Sequence, residues 1–423
     1  MPLAVTNLTQ YQILKLVTMD NSSYSVPSGV HTIPEDQLDL RSDNEIDALL
    51  QAPPPVPHGH ERNVWFFWHS GYSTMHPYAK RTVRAYHRRL ASLGWTIRVL
   101  DVTPDSPGNV ANFLDISDPA LFPRAFRDNT ITGTYARQHT SDLVRFPLLL
   151  RYGGVYADVG LMLIGDLDRL WNSTIGNPDS PYKVVSFNDS GKDEDGYNLF
   201  NYFLCAGKNN ALFQRCHQLL LALWAEDGGK TNTEGMHRSS LLQGLSLLKS
   251  SSEDSDKLQV ELSDYIIQGQ AIRMAMGSVD EEDGWNGPEY VTKHVYVMDY
   301  MVGSQLINEM TSWDGPRAFE LMSLRLPEEG REESSDQKLA REIVEACLSK
   351  SFAFKLAHGL ILAVLGETLG SLWRSHDGSD DIQGTYAHWL RYGMVHWTQD
   401  KLPPSTPFRP ITPYKTGRLL KGS

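Results

Sequence analysis

The stretch "RYGGVYADVG", residues 151–160, decides the fold. Gly153 and Gly154 stop a preceding helical segment, because glycine reaches the backbone angles that close a helix. Val155, Tyr156 and Ala157 then make a short apolar strand, and Asp158 stands at its tip. Ligands of open α/β sheets bind at the carboxyl ends of strands. Two positions on, where a second acid would complete an Asp-x-Asp pair, the chain has Gly160. Asp158 therefore has two readings: a cap of the turn after a strand, or the lone carboxylate of a binding site.

Working outward, residues 135–152 read as the helix before this strand. Leu143, Phe146 and Leu150 share one face, Asp142 and Arg145 are neighbours at i, i+3, and Pro147 should kink it. Further upstream, "NVWFFW" (63–68) reads as a buried strand. Residues 78–93 carry Val83, Tyr86, Leu90 and Leu93 at helical spacing up to Gly94, and "WTIRVLDV" (95–102) reads as a second strand. Strand, helix, strand is a βαβ unit, which needs a largely parallel sheet covered by helices. "YKVVSF" (182–187) and "YNLFNYFLCAG" (197–207) add strands, and residues 211–226 add a helix. Beyond residue 230 the pattern turns helical, closing with apolar segments at 337–349, 352–373 and 384–398. The proline-rich run "APPPVPHGH" (52–60) reads as an extended linker. The expected organisation is an entry arm over 1–60, an α/β domain over 61–326 and a helical C-terminal extension over 337–423.

Composition narrows the function. The chain has 423 residues, with 51 acidic against 39 basic side chains and a net charge of −12. That balance argues against general nucleic-acid binding, which needs a basic surface to displace counterions. Three cysteines give no disulfide framework and no zinc motif, and no secretory signal opens the chain, so a reducing, cytoplasmic setting is expected. The sequons at Asn7, Asn21, Asn172 and Asn188 carry little weight in that setting. Lys355, His358 and Glu367 interrupt the apolar run 352–373, so no clean span of about 20 apolar residues remains. A buried helix is expected there, with contact to a membrane surface as the alternative.

The array Ser141-Asp142-x-x-Arg145, Tyr152-Gly153-Gly154, Tyr156-x-Asp158 resembles the core of glycosyltransferase family 32. "NVWFFWHSG" resembles that family's first strand, where base and ribose dock. The whole chain is similar to a fungal branch described as capsule polysaccharide biosynthesis proteins, through "HTSDLVR", "GGVYADVG", "LDRLW" and "GTYAHWLRYG". The resemblance implies a GT-A type, Rossmann-like mixed sheet flanked by helices. It implies a UDP- or GDP-sugar donor, an acceptor glycan or small molecule, and Mn²⁺ or Mg²⁺. It further implies that Asp142, Arg145 and Asp158 carry the reaction, and that Trp68, Ser141, Gly153, Gly154, Tyr156 and the position of Gly160 line the donor. In the resembled family an aspartate stands where this chain has Gly160 and ligates the metal.

Loss of that carboxylate removes one hard anionic ligand. Mg²⁺ still accepts waters and diphosphate oxygens, so weak metal use through Asp158, with His376 and Asp377 as late-chain ligands, is the expectation. In the alternative, Arg145 or another cation takes the metal's charge role. Asp166 and Asp168 form a true Asp-x-Asp spacing but lie before a short helix, where capping is the expected use. Asn201 and Tyr202 either face the acceptor or pack in the core. The expected activity is retaining transfer of a sugar to a hydroxyl group. The other reading is a non-catalytic relative that binds nucleotide sugar or glycan as a scaffold.

Overall fold

The computed structural model describes residues 24–188, 198–248, 255–408 and 412–420; Asn7, Asn21 and Tyr197 lie outside them. Strand β1, Asn63–Phe67, is buried at all of its positions, as its unbroken apolar run requires of a strand covered on both faces. Helix α1, Pro77–Leu90, begins with proline at its first turn and ends among His87, Arg88 and Arg89. Both features suit the helix ends, since proline needs no donor there and cations face the negative dipole end. A 3₁₀ turn, Ala91–Leu93, follows, and Gly94 at φ 82° hands the chain to strand β2, Thr96–Leu100.

Helix α2, Ala136–Tyr152, carries Pro147 within it and ends at Gly153. Strand β3, Gly154–Ala157, follows, and Asp158 sits at its tip. Strands β4, Leu161–Leu163, β5, Val184–Asn188, and β6, Phe203–Ala206, come next. Helices α3, Ala211–Ala225, and α4, Ile267–Gly277, precede strand β7, Val295–Asp299. Six of these strands form one sheet in the order β7-β5-β6-β3-β1-β2. Strands β2, β1 and β3 run parallel, as do β7 and β5, while β6 runs antiparallel to both of its neighbours. The mixed α/β sheet flanked by helices matches the expected fold class.

Alternation along the strands divides the core. Val64, Phe66, Ile97, Val99, Val155 and Ala157 pack on one face with Val83 and Tyr86 of α1. Trp65, Phe67 and Tyr156 pack on the other with Val144, Leu148, Phe213 and Ile272 from α2, α3 and α4. Asp158 is in phase with Tyr156, so it faces the α2 side.

Two expected elements differ. The strand expected over 197–207 is only Phe203–Ala206; Phe200 to Phe203 form a turn closed by a 3.2 Å backbone hydrogen bond. The helix expected over 352–373 is broken into strand β8, Ala353–Lys355, a turn, and the helices Ile361–Leu365 and Leu369–Ser375. Gly359 at φ 76° and Gly366 at φ 71° leave the right-handed helical region and end any continuous helix. β8 pairs antiparallel with β4, setting Lys355 opposite Leu161.

Pairings also cross the boundaries expected at 60/61 and near 330. Val30–Thr32 pairs with Trp397–Gln399. Asp380, fully buried, bridges Arg81 of α1 and Arg391 of helix α5, Tyr386–His396. Cys205, Cys216 and Cys347 are free and buried. Among the described residues no helix is long and apolar enough to cross a membrane.

Candidate active site

Strands β1, β2 and β3 run parallel, so their carboxyl ends bring Trp68, Asp101 and Asp158 to one edge of the sheet. Asp158 is anchored there by its own backbone, whose N–H donates to the Tyr202 carbonyl at 2.9 Å. Its side chain keeps 26% of its surface open, the most of any charged group in the cluster. Arg145 Nη2 donates to Oδ1 at 3.0 Å, and Lys355 Nζ donates to Oδ2 at 2.6 Å. Burial pushes this carboxyl up, but Lys355 and Arg145 outweigh it and hold Asp158 below the usual carboxylate range.

Arg145 is nearly inaccessible. Its Nη1 lies 3.1 Å from Asp142 Oδ1 and donates to the Asn201 carbonyl at 2.9 Å and to Gln268 Oε1 at 3.2 Å. Its Nη2 also approaches Ser141 Oγ, and its plane lies 4.8 Å above the Tyr156 ring. Burial alone would lower its pKa; Asp142 and Asp158 raise it, so the guanidinium stays charged. Ser141 in turn bonds the Tyr156 hydroxyl at 2.7 Å. Helical spacing explains the grouping: Ser141, Asp142 and Arg145 fall on neighbouring turns of α2.

Gln268, on α4, ties this cluster together. Its Oε1 accepts from Arg145 and from Asn201 Nδ2, while its Nε2 donates to the Asp142 carbonyl at 2.6 Å. Asn201 therefore belongs to the charged cluster, whereas the Tyr202 hydroxyl bonds Ser304 inside the core. Neither Gln268 nor Lys355 was singled out from sequence. Gln268 gave no signal. Lys355 gave one: a lysine inside "FAFKLAHG" is a charge in an apolar run, and buried charges are paired.

The glycines serve a different end of the strand. A Cβ on Gly154, at φ 100°, would lie 2.3 Å from the Asn63 carbonyl oxygen. A Cβ on Gly153 would meet the Lys208 backbone nitrogen at 2.9 Å. Both positions lie at the start of β3, away from Asp158; Gly154 permits the strand's close approach to β1, and Gly153 that of the chain leaving β6. The structure does not bring them to the donor side expected for them. Gly160, by contrast, is beside Asp158. A Cβ there would lie 3.1 Å from the Leu356 carbonyl oxygen and 3.9 Å from Lys355 Nζ. Trp68 is half-buried at the end of β1, its Nε1 donating to Thr74 Oγ1 at 3.2 Å. Asp166 caps the short helix Leu167–Ser173, as the capping reading expects, whereas Asp168 accepts from Arg62 and Trp95 instead of capping.

A divalent cation needs several free oxygen ligands. Asp158 has both oxygens engaged by cations, and Asp142 is engaged by Arg145. Among the described residues no three His, Cys, Asp or Glu side chains gather as a metal group. His376 and Asp377 lie on an exposed turn, where the His376 ring packs on Phe319 and bonds the Leu372 carbonyl. The expected ligand set of Asp158, His376 and Asp377 is not assembled as a metal group among the described residues. These residues do not fit the implied metal.

With the site in place, comparisons supply its relatives. The family model described as "Capsular polysaccharide synthesis protein" matches residues 18–231. The chain belongs to the capsular polysaccharide synthesis family. The chain is 34% identical to O-glycosyltransferase braB of Annulohypoxylon truncatum, covering 92% of each. It is 34% identical to glycosyltransferase afumC of Aspergillus fumigatus, over 85% of this chain and 91% of that one. It is 32% identical to O-glycosyltransferase PaGT of Phomopsis amygdali, over 90% and 92%. Among solved structures, the PaToxG glycosyltransferase shares 12% identity at a TM-score of 0.27, covering 44% of this chain and 69% of that one, a likeness too slight to carry argument. As a member of the capsular polysaccharide synthesis family with these relatives along nearly its whole length, the protein is a glycosyltransferase.

Proposed function

We propose that the enzyme transfers a hexose from a UDP- or GDP-sugar to the hydroxyl oxygen of an apolar small molecule, with retention at the anomeric carbon. The observation that carries this reading is the partly open carboxylate of Asp158, held at the sheet edge by Arg145 and Lys355. Carboxylates orient sugar hydroxyls, and cations beside them neutralise a diphosphate. In the reaction, the bond from the anomeric carbon to the diphosphate oxygen breaks and its electron pair leaves with the diphosphate. The acceptor oxygen bonds the same face of that carbon, and the acceptor proton passes to a diphosphate oxygen. Asp142 and Asp158 orient the sugar and stabilise positive charge on it, Arg145 holds both carboxylates in place, and Trp68 offers an aromatic face at the end of β1 for the base.

Two of the relatives are named O-glycosyltransferases, which supports transfer to an oxygen. One observation favours an apolar acceptor: the helix Ile361–Leu365, "ILAVL", buries none of its residues fully although all are apolar. It follows Lys355 closely in the chain. Just before it, a Cβ on Gly359 would lie 2.6 Å from the Tyr265 hydroxyl. Burial pushes that hydroxyl up, and Tyr265 is near enough to Asp142 and Asp158 for their charges to push it further, which sets this turn near the site. The test is to incubate the enzyme with UDP-glucose, UDP-galactose or GDP-mannose and a panel of apolar alcohols, read by mass spectrometry and by NMR of the anomeric proton. Hexosylated alcohol with the donor's anomeric configuration is expected. An inverted product removes the retaining assignment, and transfer to polysaccharide alone removes the small-molecule assignment.

A further inference from the structure

We infer that Lys355 is the resident cation of the donor site: its ammonium holds the leaving diphosphate, and the enzyme binds its donor without a divalent metal. This rests on the nucleotide-sugar reading above. The inference starts from which cation at the strand tip has bonding capacity left. Arg145 is 5% exposed, both of its Nη atoms are committed to Asp142, Asp158, Asn201 and Gln268, and its unpartnered Nε is buried out of reach of a ligand. The Lys355 side chain is 17% exposed, and among the described residues its ammonium makes one hydrogen bond, to Asp158. An ammonium has three donors. Two remain for phosphate oxygens arriving from the open side.

The position is built, not incidental. Register fixes Lys355 opposite Leu161, and the Leu356 N–H donates to the Gly160 carbonyl at 2.8 Å, so strand β8 is clamped alongside the turn at Gly160. The ammonium lies 5.5 Å from the centre of the Tyr202 ring, which gives the stem a fixed wall. From a Cβ on residue 160, Nζ would be 3.9 Å away. An aspartate there would bring its carboxylate within reach of the ammonium. The ammonium thus sits between Asp158 and the place of a second acid. When the bond to the anomeric carbon breaks, the electron pair moves onto diphosphate, and Lys355 stabilises that charge by hydrogen bonding without losing a proton.

The test is calorimetric titration of the full chain with UDP-glucose, UDP-galactose and GDP-mannose, in excess EDTA and again with Mn²⁺. One donor is expected to bind with the same Kd in both. Lys355→Ala should weaken that Kd about tenfold or more, and Lys355→Arg less, since the charge-assisted bond survives in the arginine variant. Thermal unfolding of both variants checks that they fold. Lys355→Ala combined with Gly160→Asp should regain binding in Mn²⁺ and not in EDTA. Wild-type binding that is lost in EDTA and indifferent to Lys355→Ala overturns the proposal and leaves the transferase reading intact. If none of the three donors binds and none is transferred, that reading falls and the proposal falls with it.

Discussion

At Asp158 one carboxylate serves two cations, and the balance of charge there is close. Asp142 and Asp158 face Arg145 and Lys355, so removing either acid leaves a cation short of a partner in a partly desolvated place. Asp158→Asn keeps the shape and removes the charge. Turnover is expected to fall about 100-fold or more, because a preorganised charge beside the reacting carbon is lost; steady-state kinetics on the folded variant reads this. Gln268 makes a sharper structural test. It is fully buried and satisfies Arg145, Asn201 and the Asp142 backbone at once. Gln268→Leu leaves those groups without it and should cost about 2–3 kcal/mol, seen as a lower denaturant midpoint. It should also weaken donor binding, since Arg145 is then free to shift. The contrast between these residues shows what was legible in sequence. Asp142, Arg145 and Asp158 share one helix-strand unit, so a family resemblance carried on local spacing could group them. Gln268 and Lys355 reach the same point from distant elements, and no local spacing records that.

Among the elements, α1 and α2 were readable because each carries a helical period and a glycine stop, and β1 to β3 because each is a short, mostly apolar run. The segment 352–373 was not, because its apolar residues satisfy a helix and a short strand alike. Its glycines decide between them, by adopting positive φ at Gly359 and Gly366. What makes β8 a strand is its partner β4, whose register is a tertiary fact. The Gly153-Gly154 stop illustrates the converse. Sequence located it correctly as a helix end, but its stronger constraint is the approach of β3 to β1. Gly154→Ala places a methyl 2.3 Å from the Asn63 oxygen at φ 100°. Because the obstacle is backbone in the neighbouring strand, the sheet itself must move. A loss of about 3 kcal/mol or more is expected, from strain and overpacking together. Chemical denaturation of Gly154→Ala against wild type measures it, and a change under 1 kcal/mol (about a sixfold shift in the folding equilibrium) would contradict the crowding argument.

Over the whole molecule, the C-terminal residues are bound into the sheet domain by charge as well as by strand pairing, and this governs how stability responds to pH. His217 is buried on α3, and burial pushes its imidazole down to about 4. A group whose folded pKa is depressed in this way is neutral in the native state and takes up a proton on unfolding. Stability is therefore whole above pH 6.5 and falls as the pH drops toward 4, by up to about 1.4 kcal/mol per pH unit for this residue. Calorimetric melting between pH 7.5 and 4.5 should show that decline, and His217→Gln should make it shallower without removing it, because burial also pushes His396 down to about 4 and His358 to about 3. Asp380 acts in the same direction, in a more acid window. Burial would raise its pKa, but Arg391 and Arg81 lower it, so its contribution is present at neutral pH and is lost only under stronger acid. It joins α1, which carries the first crossover of the sheet, to α5 near the end of the chain. Asp380→Asn leaves the buried Arg391 and the half-buried Arg81 facing one neutral amide. The expected cost is about 3–5 kcal/mol, the usual result of removing one partner from a buried ion cluster. If the linkage holds the molecule together as a unit, the variant should also expose β8 and the Lys355 turn to faster amide hydrogen exchange, although neither touches residue 380. Exchange that speeds up only around α1 and α5 would show instead that the cluster stabilises its own neighbourhood and leaves the donor site independent.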